Sequence, residues 1–315
     1  MDSVMLDTLD LQLLHALQLD GRAPFSKIAE VLDVSDRTVA RRYGRLRGSG
    51  VVRVTGTLDS HRAGHAEWLL RLRVHPRHTG AVAGALARRP DTAWVSVLSS
   101  GAEIVCLVRV PAGGPAPLEA LARHPQILDV TSQRLLRHLM DHRWLGRTSA
   151  LTAEQITALR PPDTSDIATV TLTDLDRRLF PALAADGRAA YPHLAREAGW
   201  SESAVRRRLN ELRRSRLLQL DVEVDPTLFG FSVQCLLWLT VTPSRLTAVT
   251  HTLAADPETA FVGAITGQHN LIAIVICRDS ETLYTHLTDR VSTLPGVERT
   301  ETALITSYTK RVAPP

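Results

Sequence analysis

Two arginine-rich segments carry side chains suited to contacting nucleic acid. In each, apolar residues recur at i, i+4 and i+7, as Val39, Tyr43 and Leu46 do in the first segment, so a helix would turn them inward and leave polar residues outside. Such a helix fits the DNA major groove, with its first residues towards the bases. The candidates for contacting bases are Ser35, Arg37, Thr38, Ser201 and Ser203. The candidates for contacting phosphates are Arg41, Arg42, Arg207 and Arg208, and Arg45 and Arg206 share the same surface.

A helix-turn-helix must position these side chains. Leucines at helical spacing predict a first helix from Leu9 that ends before Asp20-Gly21, and a second helix covers about 25–32. Ser35 is expected to cap the third helix. The second half repeats this order, with Ser201 as the cap. The alternative interpretation is a solvated basic face on an ordinary helix bundle. The presence of two copies of the helix-turn-helix pattern argues against that alternative.

The chain repeats itself at an offset of 166 residues. Asp20-Gly21-Arg22 returns as Asp186-Gly187-Arg188, and Arg41-Arg42 returns as Arg207-Arg208. This offset is much longer than the repeats of solenoid proteins. The sequence therefore predicts two homologous units in tandem, and whatever one unit does is expected twice.

An α+β pattern follows each helix-turn-helix. A β-branched run comes first, near 51–54 and 217–224, and completes a winged-type domain. Beyond it both halves show the βαββαβ order of the ferredoxin-like fold. The strands and helices are predicted near 67–74, 79–89, 92–99, 103–110, 116–123 and 127–138, and again near 233–241, 244–255, 259–266, 270–277, 280–292 and 297–309. One such sheet leaves a face to cover, so we expect it to pair with a second.

These patterns divide the chain into four domains and a linker. The helix-turn-helix domains are predicted over 1–58 and 171–224, the ferredoxin-like (regulatory, ACT-like) domains over 59–140 and 225–315, and the linker over 141–170. Pro161-Pro162-Asp163 is typical of such a linker. Within it, Thr152 and Gln155 predict a capping box that opens one short helix.

Composition limits the class of protein. Hydrophobic residues make up 44% and charged residues 22% of the 315 positions, which is typical of a folded globular protein. A net charge of +4 and a pI near 9.3 permit a nucleic-acid partner without requiring one. The acidic start and the lack of a run of about 20 apolar residues predict a cytoplasmic protein with no membrane partner. The three cysteines lie in apolar runs and are expected to be buried.

Nearly the whole chain except the linker resembles one protein family. The segment from Leu9-Asp10 through Asp20-Gly21-Arg22 to Gly50-Val51-Val52 resembles the start of the Lrp/AsnC family of bacterial transcriptional regulators, and the second half resembles it through Leu175-Asp176 and Asp186-Gly187-Arg188. The resemblance implies that the helix-turn-helix binds double-stranded DNA. It also implies that a small-molecule effector, an amino acid or a related metabolite, binds at interfaces between ferredoxin-like domains and changes the spacing of the DNA-binding heads. One chain would then be a built-in pseudo-dimer, and two chains would form a homo-oligomer, a dimer of tandem chains.

The same resemblance implies where the effector binds. Family members carry a glycine followed by an acidic residue between the second and third sheet strands. The corresponding loops here are Ser100, Gly101, Ala102 and Glu103 in the first half, and Gly267, Gln268, His269 and Asn270 in the second. Because Asn270 is a neutral amide, a plain amino-acid effector is less expected in the second loop.

The two recognition helices differ at their outer faces. Arg37 in the first corresponds to Ser203 in the second, and Arg45 corresponds to Glu211. Since base contacts set sequence preference, we expect two unlike half-sites in one operator.

Three other functions remain open at this point. Sirohaem decarboxylases share the Lrp/AsnC architecture, and a DNA-free small-molecule sensor would keep the helix-turn-helix only as scaffold. His61 with His65, and His138 with His142, have the i, i+4 spacing of metal ligands but no clear third ligand. We therefore predict a regulator that is not an enzyme and carries no cofactor or metal.

Overall fold

The computed structural model describes residues 5–114, 121, 123–138, 150–161 and 170–311, without the side chain of Ser100. Contacts divide the chain into two compact units, each made of two separate stretches. The first unit comprises Met1–Ala63 and Leu145–Phe229, and the second comprises Gly64–Trp144 and Gly230–Pro315. Each unit therefore combines one stretch from each homologous half.

Helices and strands follow the predicted order. In chain order they are α1 (Thr8–Leu19), α2 (Phe25–Leu32), α3 (Asp36–Gly48), β1 (Val52–Leu58), β2 (His65–Val74), α4 (Thr79–Ala87), β3 (Thr92–Leu98), β4 (Glu103–Pro111), β5 (Ile127–His138), α5 (Ala153–Leu159), α6 (Asp174–Ala185), α7 (Tyr191–Ala198), α8 (Glu202–Arg214), β6 (Leu218–Val224), β7 (Val233–Val241), α9 (Leu246–Ala255), β8 (Thr259–Ile265), β9 (Leu271–Cys277), α10 (Ser280–Thr285) and β10 (Val297–Lys310). The helix predicted near 116–123 lies outside the described residues, except for 121 and 123.

Both helix-turn-helix segments lie in the first unit, and their local signals work as predicted. The Ser35 side chain accepts a hydrogen bond from the Thr38 amide, which satisfies one of the free N–H groups at the start of α3. Val39, Tyr43 and Leu46 are buried. The second copy has the same arrangement, in which Ser201 caps α8 over the buried side chains of that helix.

A two-stranded sheet joins the two heads. Strands β1 and β6 pair antiparallel, from Val52 opposite Val224 to Leu58 opposite Leu218. The sequence predicts both strands but not their pairing, because the paired residues are 160 (Leu58 with Leu218) to 172 (Val52 with Val224) positions apart. Across the pair, the Thr57 hydroxyl donates to the Asp221 carboxylate at 2.8 Å. Each wing therefore supplies the pairing partner that the other lacks.

The predicted linker contributes to the core of the first head. Thr152 and Gln155 form the predicted capping box at the start of α5. Leu151 and Leu159 are buried in the same hydrophobic cluster as α1, α2 and α3. The Gln155 side chain also donates to the Val31 carbonyl at 3.2 Å. The stretch 150–161 is thus packed structure as well as a connection.

The second unit is a closed barrel built by both halves. Its strand order is β10-β3-β4-β2-β5-β8-β9-β7, so the two four-stranded sheets meet where β10 pairs with β3 and where β5 pairs with β8. Residues from both halves fill the space between the sheets: Leu69, Leu98, Val105, Leu135, Leu236, Trp238, Ile265, Ile272 and Ala303. The prediction that each ferredoxin-like sheet pairs with a second one is confirmed, and the partner is the other half of the same chain.

Cys106, Cys235 and Cys277 are all buried, and burial raises the pKa of the Cys106 thiol to about 12, which leaves it a protonated, unreactive side chain. Among the described helices, none has the length and apolarity needed to cross a bilayer.

Candidate nucleic-acid interface and effector cavity

The outer face of α3 presents two unpaired arginines. Arg37 and Arg41 are exposed, and within the described part of the chain neither forms an ion pair or a side-chain hydrogen bond. An unpaired guanidinium on the exposed face of a recognition helix is available for the bidentate contacts that arginine makes with phosphate and guanine. These are the two side chains of α3 best placed for DNA.

Arg42 and Arg45 point instead to α1. Arg42 contacts Asp7 at 2.6 Å and Asp10 at 2.9 Å, and Arg45 contacts Asp10 at 2.5 Å. The hydrogen bonds that Arg42 donates to Asp7 and Asp10 raise the pKa of Arg42. Because the Asp10 side chain is only 1% exposed, these pairs hold α3 against α1. The predicted phosphate-contacting role of Arg42 would compete with this internal one.

The second recognition helix, α8, also carries both paired and unpaired arginines, but fewer of them are unpaired. Arg208 contacts Asp176 at 2.5 Å, and its side chain is only 12% exposed. Arg206 pairs with Glu202 at 2.8 Å and lies over a tyrosine ring. Arg207 is exposed and makes no ion pair with any described residue. The second head therefore offers one unpaired arginine on α8 where the first offers two on α3.

Hydroxyl groups occupy the first turn of both helices. Ser35 and Ser201 are engaged as caps, and their hydroxyls also contact those of Thr38 at 2.9 Å and Ser203 at 3.2 Å. Thr38 and Ser203 lie at the end of the helix that would enter a major groove first. The cap serines act mainly on the helix itself, which leaves Thr38, Ser203 and Arg37 as the better candidates for reading bases.

The repeated Asp-Gly-Arg motif links the two heads to each other, a role that the sequence did not predict. Arg22 donates to the carbonyl oxygens of Gly187 and Ala189 at 2.8 and 2.9 Å. Arg188 makes the equivalent pair of bonds to the first copy, at 2.7 and 3.0 Å. These reciprocal bonds, called here the arginine exchange, satisfy backbone carbonyls on both sides of the pseudo-twofold axis.

The glycine of the motif allows this close approach. A Cβ on Gly187 would lie 2.9 Å from the backbone of Thr55 in β1, and the Gly187 amide donates to the Val54 carbonyl at 2.8 Å. Two further ion pairs, Arg47 with Asp186 and Arg213 with Asp20, cross the same contact. The two heads therefore form one body with a fixed separation.

The predicted effector loops meet at one cavity in the second unit. Its volume is about 740 Å³, and it opens at one end of the barrel. Both loops contribute to it, through Ala102 and Glu103 from the first and Gly267, Gln268 and His269 from the second. Strands of both halves supply the remaining lining, including Arg71, Arg73, Asp129, Gln133, Trp238 and Glu301.

The other predicted loop residues have structural contacts. The Gly101 carbonyl accepts a hydrogen bond from the Thr79 hydroxyl, and Gly101 has a positive φ of 95° that favours glycine. Asn270 bonds both the amide and the carbonyl of Val241, at 2.9 and 2.6 Å, and does not line the cavity. The Ser100 side chain lies outside the described atoms.

Arg71 is the centre of the cavity wall, and no sequence signal singled it out. It contacts Glu103 at 2.7 Å and Glu301 at 2.6 Å, and its guanidinium lies 4.4 Å from the ring centre of Trp238. His269 approaches Glu301 at 3.3 Å. Burial raises the pKa of Glu301, but the hydrogen bonds and charges of Arg71 and His269 outweigh it, so the net pKa is lowered.

The cavity is asymmetric although the barrel is pseudo-symmetric. By their place in the sheets, Arg71 corresponds to Trp238 and Glu103 corresponds to Asn270. A symmetric dimer would bring two copies of Arg71 to the axis, where like charges repel. The tandem chain pairs one arginine with one tryptophan instead, so this arrangement occurs once among the described residues.

Sequence profiles of known families match three segments. The profile of the AsnC-type helix-turn-helix domain matches residues 6–47 and 172–213. The profile of the Lrp/AsnC ligand binding domain matches residues 234–314. The chain belongs to the Lrp/AsnC family. The barrel shows that residues of the first half adopt the same sheet arrangement as the matched domain of this Lrp/AsnC protein.

Curated relatives of this Lrp/AsnC protein are transcription regulators. An uncharacterized HTH-type transcriptional regulator of Pyrococcus abyssi is 29% identical over 142 residues, which cover 45% of this chain and 90% of the relative. The HTH-type transcriptional regulator FL11 of Pyrococcus horikoshii is 28% identical over 137 residues, 43% of this chain and 90% of that protein. Each relative therefore matches about half of this chain. The chain is an Lrp/AsnC-type transcription regulator.

A solved structure resembles this Lrp/AsnC protein over nearly its whole length. It is the crystal structure of the siroheme decarboxylase NirDL in co-complex with an iron-uroporphyrin III analogue, with a TM-score of 0.65. It covers 98% of this chain and 93% of its own, at 15% sequence identity. At that identity the likeness shows a shared fold and does not indicate a shared activity.

The described residues of this Lrp/AsnC protein contain one group with the geometry of a metal site. Asp256, Glu258 and His286 bring their ligand atoms within 4.8 Å of one another. Arg290 already contacts the Asp256 carboxylate at 2.8 Å, so the group is part of an internal ion-pair network. Of the histidine pairs weighed from the sequence, His138 contacts Glu67, His65 begins β2, and His142 lies outside the described residues.

Proposed function

We propose that this chain is a sequence-specific DNA-binding regulator whose two heads bind unlike half-sites of one operator. The observation that carries the proposal is the pair of capped recognition helices in one unit, with exposed and unpaired Arg37 and Arg41 on one and Arg207 on the other. Arg41 and Arg207 occupy equivalent positions and are assigned to phosphates. Arg37, Thr38 and Ser203 differ between the heads and are assigned to bases.

The experiment is selection of duplexes from a random pool, followed by affinity measurements over a range of salt concentrations. We expect an enriched site made of two unlike elements. Arg41→Ala and Arg207→Ala should each weaken binding to all sequences and reduce the slope of log affinity against log salt by about one phosphate. If both variants keep the affinity and the slope of the unmodified chain, the assignment of the recognition helices is wrong.

We further propose that the cavity of the second unit binds a small-molecule effector, an amino acid or a related metabolite. Arg71 is neutralised by Glu103 and Glu301, but Arg73 and Asp129 are exposed and form no ion pair among the described residues. One cationic and one anionic group in the same cavity suit a zwitterion, whose two charges would otherwise lose hydration without a partner.

The effector proposal predicts a response that depends on Arg73. A ligand found among amino acids should change DNA affinity by about 5- to 150-fold, the usual range of coupling between two sites. Arg73→Ala should abolish that response, whereas Arg77→Ala, an exposed arginine outside the lining, should retain it. DNA affinity measured with and without ligand for the three proteins checks this, and an undiminished response in Arg73→Ala contradicts it.

Self-association of tandem chains is part of the proposal. The described strands expose Leu128, Leu136 and Leu304, each at least half accessible. Apolar side chains of this size on a barrel surface support contact with a second copy, giving a dimer of tandem chains with four heads.

A sirohaem decarboxylase-like enzyme is the second candidate, because siroheme decarboxylase NirDL has the same fold over nearly the whole chain. The charge of the cavity favours the regulator, because Glu103, Asp129 and Glu301 face a ligand that would bring further carboxylates, and Arg71 is already paired with two of them. A tetrapyrrole absorbs strongly in the visible range, so a coloured preparation of the purified chain would favour the enzyme. A DNA-free sensor is the outcome if no duplex is enriched.

A further inference from the structure

Trp200 is an exposed aromatic side chain at the edge of one recognition helix. It directly precedes Ser201, the cap of α8, and its side chain is 49% exposed. Most exposed large apolar residues on a protein surface need no explanation. Trp200 is different because it lies beside the part of the helix that would enter a major groove.

The equivalent position in the first head shows what the turn requires. Val34 and Trp200 both donate their amides to the helix before the turn, at 3.0 and 3.1 Å, and both follow a residue with positive φ, Asp33 and Gly199. The two turns therefore have the same backbone. A valine completes the turn in the first head, so the extra size of tryptophan is not needed to form it.

The two side chains pack differently on this common backbone. Val34 is half-buried against the hydrophobic core of the first head. Trp200 is not among the residues packed on the core of the second head, and its ring contacts no other aromatic ring or guanidinium in the described part of the chain. About half of a large apolar surface is thus left in water at this one head.

We infer that Trp200 is a DNA-contacting residue that only the second head has, and that its ring packs on an apolar edge of the duplex, a thymine methyl group or a deoxyribose. The second head has one unpaired arginine on α8 where the first has two on α3, so an apolar contact would offset part of the missing charge. Proteins use apolar side chains against thymine methyl groups in this way, and removing the ring from water is favourable. The inference rests on the proposed DNA-binding function.

The test compares Trp200→Val, which places the residue of the first head at this turn, with the unmodified chain on the selected duplex. We expect the affinity to fall about tenfold while the slope of log affinity against log salt stays the same, because an apolar contact releases no counterions. Trp200→Phe should keep most of the affinity. Tyr284→Ala, which removes an aromatic ring 63% exposed in the second unit, is the matched control and should bind as the unmodified chain does.

Fluorescence gives an independent measurement. Among the described residues Trp200 is the single tryptophan of the first unit, since Trp68, Trp94 and Trp238 lie in the second. The emission of the chain should change when DNA binds, and Trp200→Phe should remove that change. Unfolding curves of the variants establish that each one is folded.

The outcomes separate the inference from the function on which it rests. If the unmodified chain enriches no duplex, both are overturned. If it binds a selected duplex, Trp200→Val matches it in affinity and DNA leaves the emission of the unmodified chain unchanged, only the role of Trp200 is overturned. If Trp200→Val lowers self-association in sedimentation and leaves DNA affinity unchanged, the exposed ring is a protein contact and the inference is wrong.

Discussion

Replacing Arg208 by alanine should lower the free energy of unfolding by about 3–5 kcal/mol, the usual effect of leaving a buried charge without its partner. The Asp176 carboxylate is 1% exposed and accepts hydrogen bonds from Arg208 at 2.5 and 2.8 Å. Alanine would leave this carboxylate with only the Thr173 amide and hydroxyl as described donors. Denaturant unfolding of the variant and the unmodified chain measures the difference.

The neighbouring arginine is the matched control. Arg207 is exposed and unpaired among the described residues, so Arg207→Ala should change the free energy of unfolding by less than about 0.5 kcal/mol. The two variants thus separate structure from DNA contact at adjacent positions. Equal stability of Arg207→Ala and Arg208→Ala would show that the ion pair does not hold α8 against α6.

The same pair predicts a dependence of stability on pH. Burial raises the pKa of Asp176, but hydrogen bonds from Arg208 and Thr173 outweigh it, so the folded-state pKa lies below the ordinary value of 3.8. A group with a lowered pKa stabilises the folded state above its unfolded value, and this contribution is lost as pH falls through the folded value. The unmodified chain should lose this part of its stability below about pH 4, and Arg208→Ala should lack most of that loss.

Inserting about five base pairs between the two half-sites should lower DNA affinity at least about 100-fold. The insertion turns the second half-site to the far side of the duplex. The heads cannot follow it, because β1 pairs with β6 along its whole length and the arginine exchange joins Arg22 and Arg188 to the opposite head. Affinity should fall to that of a duplex with a single half-site, which is the control.

A ten-base-pair insertion distinguishes a rigid pair of heads from a flexible one. It restores the facing of the half-sites but lengthens their separation by about 34 Å. Heads of fixed separation should still bind only one half-site. If the longer duplex regains the original affinity, the two heads are able to separate and the shared sheet is not retained on DNA.

The shared sheet also changes the expected mechanism of regulation. The resemblance implied that an effector alters the spacing of the two heads, but within one chain that would require breaking the β1–β6 pairs and the arginine exchange. A ligand in the cavity has a less costly route if it changes how tandem chains associate, since this leaves each pair of heads intact.

Local patterns in the sequence predicted most of the fold. The spacing of Val39, Tyr43 and Leu46 predicted the buried face of α3, and serine at the caps predicted where both recognition helices begin. The strand predictions for the barrel agree with the structure to within about two residues, including β7 at Val233–Val241, whereas the run predicted near 51–54 continues as β1 to Leu58. These features follow from periodicity and capping, which act over a few residues and can be recognised in one chain.

Tertiary structure alone decided which charged residues are available. Arg41 and Arg42 are neighbours in the sequence, but a helix turns successive side chains by about 100°, and only Arg42 reaches the carboxylates of α1. No local pattern contains that information, because Asp10 lies 32 residues away in the chain. The sequence therefore predicted a basic face, and packing selected the arginines within it.

The cavity separates more clearly what the sequence determined from what only the tertiary structure decided. The sequence by itself determined the two glycine-containing loops, the tandem repeat and the expectation that the sheets pair. Pairing of β2 with β4 brings Arg71 to Glu103, 32 residues away, and closure of the barrel brings it to Glu301, 230 residues away. Arg71 occupies an ordinary strand position that carries no signal of its own. Its role arises only because strands distant in the chain meet at one end of the barrel, where charges that are remote in sequence must neutralise one another.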